Sequence, residues 1–191
     1  LFSLVFMQPS GKPPTKTPTK STSPKPSSPK SPPPPDIFSP LSPLYTHPLT
    51  TGTIYIGTSL CLTPPILSAY KITKTVDCSK TPSPKSKTNF PFDLSSFNPQ
   101  KLKTDAQIIE FLAPLLQFLD ECRSENVLVH CLSGSQRSGT VAIICLMRYL
   151  GLNDVEEVSK TVKNLRPVCE PNSTGWEIIK RFAKARENGE D

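Results

Sequence analysis

The sequence predicts an α/β domain, with a mixed, mostly parallel central sheet flanked by helices. Two observations carry that prediction. The run from Val127 to His130 is short and apolar on both faces, as strands buried between helices are. Strand-like runs precede it, and segments with apolar residues at helical spacing lie on either side, the order that packs helices onto a sheet.

Composition separates this domain from a tail. Of 23 prolines, 14 fall in the first 50 residues, and Gln8 to Pro43 is nearly all Pro, Ser, Thr and Lys. Such a segment has too little apolar surface to offset its ordering entropy. Residues 1–43 are therefore expected to be a disordered tail, and 44–191 a single domain large enough to bury a core. The opening LFSLVF is too short for a signal peptide or a membrane span, so cytoplasm or nucleus is expected. The net charge of +6 is uneven. The tail holds five lysines and one aspartate, which leaves 17 basic and 15 acidic residues for the domain. That balance does not indicate a nucleic-acid groove.

Within the domain, Thr53 to Ser59 has strand composition, and Thr63 precedes a short helix with prolines in its first turn. Thr73 to Cys78 reads as a second strand, followed by a long polar connection. Thr104 and Gln107 form a capping box, with Ile108, Leu112, Leu115, Leu119 and Cys122 then at helical spacing. Pro114 should kink or interrupt that helix. Beyond the apolar strand, helices fit Ser138 to Leu150, ended by Gly151, then Asp154 to Leu165 and Thr174 to Glu187. The last is expected to be capped by Thr174 and Glu177. Trp176, beside Ile179 and Phe182, reads as core, and His47 as a linker residue without a partner.

None of the six cysteines forms a CxxC pair, and with two histidines no zinc or other metal site is expected. Cys131 is the one with chemical context. It closes the apolar strand, and Ser138 opens a helix. Between them, the backbone N–H groups of Leu132, Ser133, Gly134, Ser135, Gln136 and Arg137 can curl around a tetrahedral anion, and the helix N-terminus adds partial positive charge. Those dipoles should favour a thiolate at Cys131. Arg137 matches two phosphate oxygens at once, and Gly134 permits the tight path. A lone C-x5-R match is expected by chance about 0.2 times here, so the flanking residues and elements carry the specificity.

HCLSGSQRSGT resembles the H-C-x-x-G-x-x-R-S signature of cysteine-dependent protein phosphatases. Together with IYIG, TVDC and RPVCEPNSTGW, it resembles the dual-specificity phosphatase domain over roughly 140 residues. The resemblance implies that fold, phosphorylated protein substrates, and a mechanism without metal or cofactor. Cys131 would be the nucleophile and Arg137 the phosphate clamp. Ser138 would stabilise the departing thiolate, and His130 would orient the loop. Arg166, Pro171 and Asn172 match a later segment that is mostly structural in the family. A domain this small suggests a shallow site admitting phosphoserine and phosphothreonine, although RSGT is more typical of tyrosine-specific relatives.

The family uses an aspartate as general acid about thirty residues before the cysteine. Asp93 is the best match; Asp105 is better explained by helix capping, and Asp77 belongs to a strand. The resemblance also offers Cys78 as a redox partner that captures oxidised Cys131; a small core residue is the alternative. In the tail, Thr17, Ser23, Ser28 and Ser31 each precede proline and suit proline-directed kinases. A phosphoprotein-binding module without turnover, or a phosphatase for RNA ends or phosphoinositides, would be the competing functions.

Overall fold

A computed structural model describes residues 39–189. Residues 1–38, including most of the expected tail and its Ser-Pro and Thr-Pro sites, lie outside the described residues. Five strands form one sheet: β1 (Leu41–Thr46), β2 (Thr53–Thr58), β3 (Ile72–Asp77), β4 (Asn89–Pro91) and β5 (Asn126–Cys131). Their order is β1-β2-β5-β3-β4. The β1–β2 pair is antiparallel and the rest are parallel, with β5 at the centre. The helices are α1 (Pro64–Ala69), α2 (Asp105–Glu121), α3 (Arg137–Leu150), α4 (Val155–Leu165) and α5 (Ser173–Glu187).

The strand period of two divides the sheet residues between two cores. Ile54, Ile56, Val76, Val127 and Val129 join the large cluster with α2, α3, α4 and α5. Leu128 and Leu41 form a small cluster on the opposite face, with Ile66 and Leu67 of α1 packed against it. Every β5 side chain from Val127 to Cys131 is buried, as its composition requires. Among the described residues, no helix is long and apolar enough to cross a membrane.

Several local expectations are corrected. Leu41, Ser42 and Pro43, assigned to the tail, lie in β1, with Leu41 only 1% exposed. The register shifts between Pro43 and Tyr45, an irregularity at a sheet edge that tolerates proline. Pro114 does not interrupt α2. It is exposed, so water can serve the carbonyl its ring leaves unbonded, while the row from Ile108 to Leu119 holds the helix on the core. The α5 cap is Asn172, whose side chain accepts from Gly175 N, not Thr174 with Glu177. His47 has partners, meeting Tyr45 and Tyr149 edge-on at 5.5 and 5.7 Å. Trp176 is half-buried at the margin of the large core. The long connection after β3 contains β4 and a 3-10 turn, Leu94–Ser96.

Candidate active site

Parallel register assembles the site. Thr58, the last residue of β2, pairs with Cys131, and Asp77, the last of β3, pairs with His130. Three strand ends thus meet where the chain leaves β5, turns through Leu132–Gln136 and enters α3 at Arg137. Gly134 makes the turn at φ +66°. A Cβ there would stand 2.7 Å from Gly57 O and 2.8 Å from an Arg166 nitrogen, so neither the backbone angle nor the space admits a side chain.

Cys131 is 1% exposed and its Sγ lies 3.2 Å from Ser138 Oγ. Burial pushes the thiol up, but the Ser138 hydroxyl and the N–H groups of Ser138, Ser135 and Gly134 outweigh it and bring the thiol below its ordinary value. The dipoles of the turn and the helix start therefore converge on sulfur. At the other end of the turn, Arg137 Nη1 is buried without a hydrogen-bond partner among the described residues. A buried guanidinium nitrogen left unpaired is costly unless an anion meets it. Leu132, Ser133 and Gln136 are exposed and Ser135 is half-buried.

Neighbouring elements brace the turn. Arg166, 5% exposed, donates from Nε to Gly134 O at 3.0 Å and from Nη1 to Ser39 O at 3.3 Å. Cys169 Sγ approaches the same Gly134 carbonyl at 3.9 Å, and burial pushes its thiol up to about 12. Cys78 donates its backbone N–H to His130 O at 2.8 Å. By strand alternation its side chain and that of Cys131 enter the same core. The Cys78 thiol is pushed well up, first by burial and then by Cys131 beside it. His130 is buried, and its Nδ1 has no hydrogen-bond partner among the described residues; Asp77 Oδ1 is 3.9 Å away. Burial lowers the pKa of His130, and Asp77 opposes this only in part.

The three aspartates separate by what they bond. Asp77 accepts from Ser79 N at 2.9 Å and Ser83 N at 2.8 Å, and so shapes the turn after β3. Burial raises its pKa, but the bonds to Ser79 and Ser83 outweigh that and hold it low. Asp105 sits in the first turn of α2 and reaches Lys184 Nζ at 3.4 Å. Asp93 is half-buried and caps the Leu94–Ser96 turn, accepting from Ser95 N at 2.9 Å and Ser95 Oγ at 2.6 Å. Leu94 and Ser95 share a small cavity of 130 Å³ with Arg137, Thr140 and Asn172. The Asp93 turn thus borders the arginine end of the loop, with the carboxylate bonded to its own serine. Sequence reasoning missed Cys169 and the direct grip of Arg166 on the loop; a single Cys or Arg in a connection carries no periodicity to mark it.

One turn between the central strand and a helix thus carries a lowered thiol at its start and, at its end, a guanidinium nitrogen without a partner among the described residues. Residues 54–185 match the family model described as dual specificity phosphatase, catalytic domain. The chain belongs to the dual specificity phosphatase family, within the cysteine-dependent tyrosine phosphatase superfamily. A probable dual specificity protein phosphatase of Dictyostelium discoideum is 34% identical over 86 residues, 42% of this chain and 22% of that protein. The tyrosine-protein phosphatase vhp-1 of Caenorhabditis elegans is 30% identical over 135 residues, 65% of this chain and 19% of that one. This chain therefore spans about a fifth of the length of these two relatives. The crystal structure of human DUSP28 superposes with a TM-score of 0.60 at 20% identity, covering 80% of this chain and 99% of the other. A mouse putative dual specificity phosphatase complexed with zinc tungstate gives 0.57 at 20% identity, covering 87% and 98%. Both likenesses concern the fold.

Proposed function

We propose that the domain hydrolyses phosphotyrosine and phosphoserine or phosphothreonine in proteins through a phosphocysteine intermediate. The observation that carries this is a lowered Cys131 thiol at one end of a turn and, at the other, an Arg137 Nη1 without a partner among the described residues. The Cys131 thiolate attacks phosphorus, forming an S–P bond as the P–O ester bond breaks. Arg137 and the N–H groups of Leu132 to Gln136 hold the equatorial oxygens. Asp93 protonates the leaving oxygen. Water then attacks phosphorus, Asp93 takes its proton, and phosphate departs. Ser138 stabilises the sulfur as it leaves as thiolate. No metal or cofactor enters these steps.

A second reading, a module that holds phosphoproteins without turning them over, is favoured by one observation: Asp93 Oδ1 accepts from both Ser95 N and Ser95 Oγ. The two are separated by turnover of a small aryl phosphate and of phosphopeptides by the wild type, Cys131→Ser and Asp93→Asn. Loss of both activities in Cys131→Ser, with a larger Asp93→Asn defect on phosphopeptides, supports the enzyme; good leaving groups need little acid help. A wild type that binds phosphopeptides but turns over neither substrate supports the binding module. In the tail, the Ser-Pro and Thr-Pro sites are proposed as substrates of proline-directed kinases, where added phosphates would invert its positive charge.

A further inference from the structure

Exposed leucines stand on the turn after β5 and on the segment beside it. Seven large apolar side chains are exposed among the described residues. Three of them, Leu60, Leu62 and Leu132, stand on the two segments that leave β2 and β5 side by side. Thr58 and Cys131 are paired, so the chains beyond both emerge at one point. Ser59 Oγ donates to Leu132 O at 3.5 Å and ties the two segments together. Leu60 is 73% exposed, Leu132 71% and Leu62 40%.

These leucines are held outward by buried neighbours. Leu60 N donates to Thr58 Oγ1 at 3.2 Å, and Leu62 N to Ser59 O at 3.2 Å. Between them, Cys61 is fully buried, with its Sγ donating to Pro40 O at 3.0 Å. Leu132 likewise follows the buried Cys131. A single exposed leucine is ordinary. Three stand here on one lip, two segments that one hydrogen bond ties together beside the turn, and apolar groups brought together in this way are what a binding surface requires.

We propose that this lip takes a bulky apolar side chain adjacent to the phosphorylated residue of a protein substrate. The inference rests on the reading that the turn holds the substrate's phosphate. With phosphate fixed in the turn, a residue next to the phosphorylated one lies against the segments beside it, and on the β2 side these carry Leu60, Leu62 and Leu132. The lip therefore selects among phosphorylated sequences, whereas the turn binds the phosphate common to all of them.

The test uses Cys131→Ser protein, so that binding is read without turnover. Calorimetry compares two phosphopeptides that differ only by Leu or Ser beside the phosphorylated residue. The Leu peptide is expected to bind about fivefold tighter, less than a closed pocket would give. Adding Leu60→Ser and Leu62→Ser should erase that difference and leave the Ser peptide's affinity unchanged. Equal affinities at the outset, or a preference that survives in the double variant, would overturn the proposal. So would phosphoinositide vesicles whose binding falls in the double variant while both peptides bind equally, since the lip would then serve a membrane. Wild-type turnover of an aryl phosphate is read in parallel. Turnover with equal peptide affinities sinks the lip alone; leucine preference without turnover sinks the enzyme reading alone.

Discussion

Arg166 Nε donates to the carbonyl oxygen of Gly134 at 3.0 Å, across 32 residues of sequence. The same guanidinium reaches Ser39 O and Ser42 Oγ, at 3.3 and 3.5 Å. One buried cation thus joins the turn after β5 to the segment that enters β1. We predict that Arg166→Met lowers kcat/KM for an aryl phosphate by about 10²-fold, because a turn displaced by an ångström no longer aligns its donors. Arg166→Lys should fall between, having one donor group for several acceptors. Steady-state kinetics check this. Unchanged kcat/KM in Arg166→Met, in a protein that still melts cooperatively, would remove Arg166 from the positioning of the turn.

Gly134→Ala should cost about 3 kcal/mol, combining a left-handed backbone angle with contacts below 3 Å to Gly57 O and Arg166. The denaturant midpoint at constant m measures it. A loss under half a kcal/mol would mean that the turn relaxes freely.

The Ser138 hydroxyl is one of the groups that lower the Cys131 thiol. A thiol with a lowered pKa is thiolate, and reactive, down to lower pH. Removing the donor in Ser138→Ala should raise that pKa, so the acidic limb of kcat/KM moves to higher pH. Breakdown of the phosphocysteine should also slow, by about 10²-fold, as the leaving sulfur loses its partner. The pH profile and single-turnover rates are the measurements. An acidic limb that stays in place would assign the lowering to the backbone N–H groups alone.

Mild peroxide converts the Cys131 thiolate to a sulfenic acid; attack by the Cys78 thiol then forms a disulfide and releases water. We predict a reducible Cys78–Cys131 bridge, since both side chains enter one core at neighbouring strand ends. Its formation should be slow and should quicken as pH rises, because burial holds the Cys78 thiol well up. Peptide mapping decides it. A bridge from Cys131 to Cys169 instead would assign capture to the residue on the other side of the turn.

Deletion of residues 1–43 and of residues 1–38 should differ. The longer deletion removes Leu41, which is 1% exposed, together with the Ser39 and Pro40 carbonyls bonded to Arg166 and Thr58. It should cost about 3 kcal/mol or more, while the shorter one leaves β1 whole. Equal melting temperatures for the two would place the domain boundary after Pro43.

Much of this protein was legible in its residues. The helix from Thr104, the glycine end of α3 and the central strand follow from spacing, capping and composition, which act within a few residues. The turn from Cys131 to Ser138 is equally local, since strand end, turn and helix start lie within eight consecutive residues. β1 and β4 were not legible, because an edge strand carrying proline and a three-residue strand have no period to show.

What only the tertiary structure decided is which distant groups meet that turn. Register set by two parallel ladders brings Thr58 and Asp77 level with the end of β5, and alternation sends Cys78 toward Cys131 but Asp77 to the opposite face. Long-range packing places Arg166 on Gly134 and Ser59 on Leu132. It also brings the Asp93 turn, through Leu94 and Ser95, to the edge of the site. The physical reason is one of range. Hydrogen-bonded turns and helical periods repeat over a few residues and leave a mark in sequence, whereas contacts across 30 to 130 residues depend on ladder register and core packing, which no single stretch encodes.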